Sequence, residues 1–266
     1  MKLAFIGGGV MGEAIIAGAL KKRIAQPADI AVAEIVAPRR EHLAKTYGAR
    51  TTDNGAEAAA GADLLVLAVK PQEFANASKS LAGALQPGQT VLSIMAGVTI
   101  NTIRSSLQHD AVVRSIPNTP AQIGEGVTVW TATDAVPENE RKDVQRLLSV
   151  LGLEMYVVDE KYIDMATAVS SSGPAYVFLV MEALVDAAVH IGLRRELATP
   201  IVLQTVLGSA RYAQESGKHL AELRNQVTSP GGTTTEGLRE LEDAGLRAAF
   251  IEAVEAAYEK AKELGG

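Results

Sequence analysis

The chain begins with a short apolar run that leads directly into a glycine-rich turn. Residues 2–7 (KLAFIG) predict a buried strand, and Gly7, Gly9 and Gly12 follow the spacing G-x-G-x-x-G just before a helical pattern. A strand, a tight turn and a helix in this order form half of a βαβ unit, whose helix N-terminus offers free N–H groups to phosphates. We therefore predict a dinucleotide-binding turn, the alternative being a glycine turn without a ligand. Its cofactor-binding residues are Gly7, Gly9, Val10, Met11 and Gly12.

The first 160 residues alternate apolar runs with helical patterns, as βαβ units of a parallel sheet do. The run 63–71 (DLLVLAVKP) is continuously apolar at its centre, which is typical of a strand buried on both faces. Further strands are expected at 2–7, 29–35, 90–97, 111–121, 126–132 and 154–159, and helices at 13–23, 38–48, 54–62 and about 138–151. We predict an α/β fold with a Rossmann-type parallel sheet in residues 1–160.

The remainder, residues 161–266, shows helical patterns only. Helices are expected at 174–192, 195–216, 219–227 and 230–264, with breaks at Gly192, Gly217, Pro230 and Gly245. The segment 175–191 is apolar on more than one face and so needs cover on all sides, which a small helical domain obtains best from a second copy of itself. We expect an all-helical dimerisation domain and a homodimer. The alternative is a monomer whose long central helix lies under shorter ones.

Composition excludes several kinds of site and partner. The chain has no cysteine, so disulfides, thiolate metal sites and cysteine nucleophiles are excluded, and we predict no metal. The net charge of −6 and the scattered basic residues give no sign of nucleic-acid binding. No apolar run reaches the roughly 18 residues that span a bilayer, and the N-terminus resembles a strand more than a signal peptide. A cytoplasmic protein without a membrane or nucleic-acid partner is expected.

The residues after the second predicted strand bear on the form of the cofactor. Glu34 lies near the end of that strand, where an acidic side chain accepts hydrogen bonds from the adenosine ribose, which favours NAD. Arg39 and Arg40 begin the next helix and could hold the 2′-phosphate of NADP, or could be solvated residues of its first turn. The pattern leaves the choice between NADH and NADPH open.

Loops at the carboxyl ends of two further strands are expected to border the cofactor. Pro71 fixes one turn and starts the next helix. Lys70 is either a neighbour of a phosphate or ribose or an ordinary exposed lysine. The residues expected in these loops are Ala68, Val69, Lys70, Pro71, Ala96 and Gly97.

The segment 227–236 (VTSPGGTTTE) is the least generic in the chain. Pro230 suits the first position of a helix, because proline has no N–H to lose there, and the residues after it offer unobstructed N–H groups. The two glycines that follow admit a carboxylate close to the backbone, and the hydroxyls of Thr233 and Thr234 add donors. We predict an anion-binding turn, the alternative being a serine-capped helix start in which the glycines serve shape alone.

Six motifs together resemble the pyrroline-5-carboxylate reductase family. They are G-x-G-x-x-G at 7–12, AVKP at 68–71, AGVT at 96–99, NTPA at 118–121, SGPAY at 172–176 and VTSPGGTT at 227–234. The resemblance runs from Met1 to about Leu264. It implies NAD(P)H-dependent reduction of the cyclic imine 1-pyrroline-5-carboxylate to L-proline, the last step of proline biosynthesis. It also implies a Rossmann domain followed by a helical dimerisation domain, and leaves open whether dimers form a larger ring.

The resemblance assigns further residues to roles. Asn54 and Asn118 join the cofactor site, and the substrate carboxylate is expected on backbone N–H groups of residues 231–234. Ser171 is a departure, since many members have glycine there, and Glu34 is another, since members that prefer NADP usually avoid an acid. The expected substrate-binding residues are Val227, Ser229, Gly231, Gly232, Thr233 and Thr234.

Reduction of an imine requires orientation, a dry pocket and a proton, with no metal or covalent nucleophile. Thr234 is the predicted catalytic residue, hydrogen-bonding the ring nitrogen and relaying a proton, although a bound water or a protonated substrate would also serve. The histidines adjoin none of the expected ligand loops and are expected to be structural. They are His42, His109, His190 and His219.

Two other functions are compatible with the glycine turn. A β-hydroxyacid dehydrogenase shares the fingerprint and the helical C-terminal domain, but that family uses a lysine on the long helix, and residues 174–192 contain none. A non-enzymatic dinucleotide-sensing protein would keep the first turn and would not need the second.

Overall fold

The computed structural model describes residues 1–265, and these form two compact units. The first comprises Met1–Ser172 together with the chain from Ala257 onwards, and the second comprises Gly173–Ala256. The boundary predicted at residue 160 divides the chain by function, into a cofactor domain and a helical domain. That functional division stays a prediction.

Eight strands form a single sheet in the first unit. They are β1 (Leu3–Ile6), β2 (Ile30–Ala33), β3 (Arg50–Thr52), β4 (Leu64–Leu67), β5 (Thr90–Ser93), β6 (Val112–Pro117), β7 (Gly126–Ala132) and β8 (Gly152–Tyr156). Their order across the sheet is β3-β2-β1-β4-β5-β6-β7-β8, and all neighbours are parallel except β6 and β7. The Rossmann-type sheet is confirmed. The antiparallel pair differs from the prediction because a short 3₁₀ turn, Thr119–Ile123, joins β6 to β7, and a parallel return would need a longer crossover.

Helices cover both faces of this sheet. Leu3 and Phe5 of β1 are buried in one apolar cluster, and the alternate residues Ala4 and Ile6 are buried in a second on the opposite face. Both clusters draw on helices packed against the strands. The helices are α1 (Val10–Lys21), α2 (Ala37–Tyr47), α3 (Gly55–Ala59), α4 (Phe74–Ser80), α5 (Ile100–Leu107), α6 (Glu138–Leu148) and α7 (Lys161–Ala166).

The second unit is helical. Val185 on one helix packs with Ala198 and Val202 on the next, and these three residues form its buried apolar cluster. Its helices are α8 (Gly173–His190), α9 (Arg195–Ser216), α10 (Leu220–Gln226), α11 (Thr233–Asp243) and the first part of α12 (Leu246–Gly265).

The long apolar helix leaves most of its surface uncovered. A π-helical turn at Thr167–Ser171 connects α7 to α8, so that Lys161–His190 is one continuous helical stretch. Of its most apolar 18 residues, 11% are buried. By length and hydropathy alone this stretch is able to cross a membrane, so the expectation that the chain contains no such segment is not met. Large apolar side chains exposed on α8 and α9 include Phe178, Leu179, Leu184, Ile201, Leu203 and Leu207.

Several elements differ from the prediction in position or were not predicted. The three-residue strand β3 and the helices α5 and α7 were not foreseen. The break predicted at Gly245 is confirmed, since α11 and α12 meet there. The start of α11 was placed wrongly at Pro230. That residue lies in the preceding turn, and the helix begins at Thr233 with Gly232 as its N-cap.

Candidate functional site

The glycine turn lies at the point where the strand order reverses. From β1 the chain continues to β2 and β3 on one side, whereas β4 lies on the other side of β1, which is where open α/β sheets bind ligands. Gly7 has a φ of +97°, and a β-carbon there would lie 2.7 Å from the carbonyl oxygen of Ala68. The turn after β1 and the turn after β4 therefore touch, and only glycine fits between them.

The turn leaves a cradle open at the start of α1. Gly9 is the N-cap, and a β-carbon there would meet no atom within 4 Å. The first bond into the helix is Glu13 N–H to the Gly9 carbonyl at 2.9 Å, and within residues 1–265 the amides of Val10, Met11 and Gly12 have no acceptor. This geometry fits a pyrophosphate held by backbone N–H groups at the positive end of a helix.

Gly8, which the sequence pattern did not single out, belongs to the same turn. A β-carbon at Gly8 would lie 2.4 Å from Leu43 Cδ1, so a side chain here would displace Leu43. Its amide donates to Glu34 Oε2 at 2.8 Å, and the Val36 amide donates to Glu34 Oε1 at 2.9 Å. The half-buried carboxylate of Glu34 is thus fixed beside the turn.

Arg39 and Arg40 are not solvated residues of a helix start. Arg39 Nε donates to the Gly8 carbonyl at 2.6 Å, and its Nη2 forms an ion pair with Glu13. Arg40 Nη1 donates to the Glu34 carbonyl at 2.6 Å. Arg39 therefore links α2 to the glycine turn and to α1, whereas Arg40 braces the connection between β2 and α2.

Glu13 is the centre of a hydrogen-bonded cluster that sequence reasoning missed. Besides Arg39, its carboxylate receives Tyr47 Oη at 2.8 Å and pairs with His42 Nε2 at 2.9 Å. Burial acts to raise the pKa of Glu13, but the hydrogen bonds from His42, Arg39 and Tyr47 outweigh it and lower the pKa from 4.5 to about 2. The only hint in the sequence was an acid in the first turn of α1.

The other predicted cofactor residues lie at the carboxyl ends of strands or beside them. Asn54 caps α3, its Oδ1 accepting from Ala56 N–H at 3.0 Å, and Lys70 is exposed at the start of the turn after β4. Gly97 has a φ of +72° and is covered by Leu264, whose Cβ would lie 2.6 Å from an added β-carbon. Of the remaining residues, Ala68, Val69, Pro71 and Ala96 are half-buried.

The side chain of Asn118 makes two hydrogen bonds to the backbone of the protein. Its Oδ1 accepts from the Val127 amide at 2.9 Å, and its Nδ2 donates to the Ser170 carbonyl at 3.1 Å. Ser170 and the unusual Ser171 both lie in the π-helical turn. The side chain thus links the β6–β7 connection to the helix that leads to α8, and its cofactor role stays a prediction.

A buried arginine connects three elements of the first unit. Arg114 on β6 is fully buried, and its guanidinium donates to Glu160 at 2.7 Å and to Asp164 at 2.6 Å. Glu160 also accepts the Ile100 amide at 2.8 Å, at the start of α5. One side chain therefore ties β6 to α7 and, through Glu160, to the segment after Gly97.

The second predicted turn is a built structure between α10 and α11. Gly231 has a φ of +69°, which favours glycine, and a β-carbon at Gly232 would lie 2.5 Å from Ser229 Oγ. The Ser229 carbonyl accepts from Gly232 N–H at 3.1 Å and from Thr235 Oγ1 at 2.7 Å. Thr235, which was not predicted, therefore closes the turn.

Three amides of this turn stay available for a ligand. In the part of the chain that the structure describes, the N–H groups of Gly231, Thr233 and Thr234 have no acceptor, and the hydroxyls of Thr233 and Thr234 have no partner. The amide of Gly232 is used within the turn. Val227 precedes the turn and is exposed.

The histidines lie outside both turns. Among residues 1–265, no group of three or more His, Asp or Glu side chains is arranged to hold a metal ion. His109 Nε2 lies 2.7 Å from the Gln89 carbonyl, and His219 caps α10 by accepting from Ala221 N–H at 3.2 Å. His42 contacts Glu13 on α1 and belongs to neither turn.

Comparison with known proteins gives one consistent family. Residues 160–264 match the model for pyrroline-5-carboxylate reductase dimerisation, and residues 2–97 match that for coenzyme F420-dependent NADP oxidoreductases. The pyrroline-5-carboxylate reductase of Synechocystis is 43% identical over 266 residues, with 100% of this chain and 98% of the relative covered. That of Escherichia coli is 37% identical, with 99% and 98% covered.

Solved structures agree with these relatives. A pyrroline-5-carboxylate reductase from Coxiella burnetii superimposes with a TM-score of 0.92 at 37% identity and covers 100% of this chain and 98% of its own. The Plasmodium falciparum pyrroline carboxylate reductase, solved with NADP bound, gives a TM-score of 0.90 at 32% identity, with 100% and 98% covered.

Proposed function

Since the chain belongs to the pyrroline-5-carboxylate reductase family, we propose that its two amide-lined turns divide the two reactants between them. The chain is an NAD(P)H-dependent oxidoreductase that reduces 1-pyrroline-5-carboxylate to L-proline. The turn at Gly7–Gly12 holds the dinucleotide, and the turn at Ser229–Thr234 holds the carboxylate of the imine. The observation that carries this assignment is the second turn, because a dinucleotide needs only the first.

The cofactor assignment rests on the shape of the first turn. The open space at Gly9 and the free amides of Val10, Met11 and Gly12 receive a pyrophosphate without rearrangement. When bound, the reduced nicotinamide supplies a hydride to the imine carbon. The residues Asn54, Ala68–Pro71, Ala96, Gly97 and Asn118 complete the proposed cofactor site.

The substrate assignment rests on three free amides. The N–H groups of Gly231, Thr233 and Thr234 lie at the N-terminus of α11, where the helix dipole favours a negative charge. Gly232 contributes by permitting the close packing on Ser229 rather than by its amide. Val227 is proposed to contact the apolar part of the ring.

Thr234 is proposed to orient the ring nitrogen and to pass it a proton. Its hydroxyl is half-buried and engaged by no described residue, whereas the hydroxyl of Thr235 is committed to the Ser229 carbonyl. A hydroxyl both donates and accepts, so it suits either a protonated imine or a proton relay through water.

The helical part dimerises, and we propose further that it does so through the apolar faces of α8 and α9. Both faces carry large exposed apolar side chains, and those of α8 belong to the stretch Lys161–His190, which is long and apolar enough to cross a membrane. We propose residues 1–160 as the dinucleotide domain and residues 161–266 as the dimerisation and substrate domain. We also propose a cytoplasmic location, no membrane or nucleic-acid partner, and a larger ring of dimers as the complete assembly.

The absence of lysine from α8 removes the support for a β-hydroxyacid dehydrogenase.

The decisive experiment mixes the purified protein with pyrroline-5-carboxylate and either NADPH or NADH. Loss of nicotinamide absorbance, with proline as the detected product, is expected with at least one cofactor. Samples without the imine serve as the control. Absence of oxidation with both cofactors would overturn the proposal.

A further inference from the structure

The charged residues around Glu34 form a fixed arrangement beside the dinucleotide turn. Two backbone amides, those of Gly8 and Val36, each donate to one oxygen of the Glu34 carboxylate, at 2.8 and 2.9 Å. This carboxylate is therefore held in position and orientation before any ligand arrives. It lies at the carboxyl end of β2, where the adenosine ribose of a dinucleotide is expected.

Arg39, the cation nearest to this position in the chain, is held elsewhere. Its Nη2 pairs with Glu13 on α1, and its Nε donates to the Gly8 carbonyl at 2.6 Å. Glu13 is itself fixed by His42 and Tyr47, at 2.9 and 2.8 Å. Two of the three guanidinium nitrogens of Arg39 are thus committed, so the paired, two-nitrogen grip on a phosphate requires that Arg39 leave Glu13.

Arg40 is also engaged. Its Nη1 donates to the Glu34 carbonyl at 2.6 Å, and its Nη2 lies 3.9 Å from Asp53 Oδ2. Each guanidinium group thus already faces a carboxylate of the protein, Glu13 for Arg39 and Asp53 for Arg40. Glu13 is ionised at neutral pH, and its pKa of about 2 keeps it ionised under mildly acidic conditions as well.

We propose that Glu34 and Glu13 together make the cofactor site selective for NADH over NADPH, Glu34 by repelling the 2′-phosphate and Glu13 by withholding Arg39 from it. A ribose 2′-hydroxyl donates a hydrogen bond to the Glu34 carboxylate, whereas a phosphate brings about −1.5 to −2 charge and no donor at neutral pH. The repulsion between the Glu34 carboxylate and the 2′-phosphate lowers the affinity for NADPH. The affinity is lowered further because Arg39 is paired with Glu13 and not with the phosphate. This inference rests on the proposed dinucleotide role of the turn.

The test measures binding of the oxidised cofactors by calorimetry, with the full-length protein and no imine present. The natural protein is expected to bind NAD⁺ about tenfold or more tightly than NADP⁺. Glu34→Gln keeps an oxygen acceptor but loses the charge, and NADP⁺ affinity is expected to rise about tenfold while NAD⁺ affinity falls a few-fold. Glu138→Gln, an exposed acid on α6, is the control and leaves both affinities unchanged.

A second set of variants tests the role of Glu13. Glu13→Gln releases Arg39 and is expected to raise NADP⁺ affinity about tenfold with little effect on NAD⁺. Adding Arg39→Gln should abolish this gain, while Arg39→Gln alone should leave NADP⁺ affinity as in the natural protein. If Glu13→Gln does not fold, Glu34→Gln and Arg39→Gln alone still decide the inference.

Equal or tighter binding of NADP⁺ by the natural protein would overturn the inference, as would an unchanged NAD⁺/NADP⁺ ratio in Glu34→Gln. These outcomes are distinct from failure of the proposed function. A protein that binds NAD⁺ selectively but reduces no imine retains this inference and loses the reductase assignment.

Discussion

Arg114 and Glu160 form an ion pair at 2.7 Å that joins the middle of the sheet to the start of α7. Arg114 is fully buried, and its Nε has no hydrogen-bond partner among the described residues. Asp164 completes its charge balance at 2.6 Å. The guanidinium therefore depends on two carboxylates that lie on the chain well beyond its own strand.

Replacing Arg114 by Met is expected to lower the free energy of unfolding by about 3 kcal/mol, because both carboxylates lose a partner. Arg114→Lys keeps the positive charge but not the two-pronged guanidinium, and should lower the free energy of unfolding by less than Arg114→Met does. Arg104→Met is the matched control, since Arg104 pairs with Asp110 at the surface and should cost about 1 kcal/mol at most. Thermal melting at one fixed protein concentration checks the order, and equal losses in the Arg114→Met and Arg104→Met variants would contradict it.

The three successive threonines of the second turn predict three different results. Thr234→Ala should lower kcat about a hundredfold and leave the cofactor Kd unchanged, since Thr234 is proposed to act on the substrate. Thr233→Ala should change kcat several-fold at most. Thr235→Ala removes the 2.7 Å bond to the Ser229 carbonyl, and should raise the substrate KM by loosening the turn. Steady-state kinetics with both reactants varied separates these effects, and an equal loss of cofactor affinity in Thr234→Ala would remove Thr234 from the substrate site.

Gly231 and Gly237 offer a matched pair of glycine substitutions. Gly231→Ala forces alanine into a φ of +69°, which costs roughly 1–2 kcal/mol and distorts the turn. We expect a higher KM for the imine and an unchanged Kd for the cofactor. Gly237→Ala lies within α11, where an added β-carbon meets nothing within 4 Å, and should stabilise the helix by about 0.5–1 kcal/mol. A substrate KM that responds equally to both changes would argue against the turn as the carboxylate site.

The hydrogen bonds of Glu13 are expected to make part of the free energy of unfolding sensitive to acid. Its pKa is about 2 in the folded protein against an ordinary value of 4.5, so the folded state binds the proton less readily than the unfolded chain. The stabilisation is fully present above pH 4.5 and is lost as the pH falls towards 2. The difference in melting temperature between the natural protein and Glu13→Gln should therefore shrink across this window. Glu138→Gln should show a constant difference, and the same constancy in Glu13→Gln would contradict the assignment.

Leu179 lies on α8 with 65% of its surface exposed, in the segment that matches the dimerisation model. Leu179→Asp places a charge on the proposed interface and should yield monomers in sedimentation experiments. Ile123→Asp is the control, since Ile123 is 79% exposed but lies outside that segment. Retention of the dimer by Leu179→Asp at the same protein concentration would move the interface away from this face.

Hydrophobic runs predicted the strands that are buried on both faces, among them β1, β4 and β5, because burial leaves a local trace in the sequence. β3 left none, since Arg50–Thr52 is short and polar and becomes a strand only by pairing with β2. The helix α5 did carry a signal that was overlooked. Thr99 accepts the Thr102 amide at 3.2 Å as an N-cap, and Ile103 and Leu107 have helical spacing.

The site shows the same division. The glycine turns were predicted because their conformations need glycine at particular spacings. The partners of Arg114 and Glu13 were not, because they lie tens of residues away and no local pattern links them. The role of Pro230 was misjudged because a proline suits a turn before a helix as well as its first position. The three threonines could not be ranked, since residue type alone does not say which hydroxyl the turn consumes.

The contact between Gly97 and Leu264 has a consequence for the order in which the protein is made. All eight strands have been synthesised by residue 156, yet the part of the first unit that covers Gly97 is translated only after the entire helical unit. A nascent chain can therefore assemble its sheet early and still lack the side chain that covers Gly97. Synthesis itself delays the completion of the loop at Gly97 until the helical turn around Leu264 has emerged.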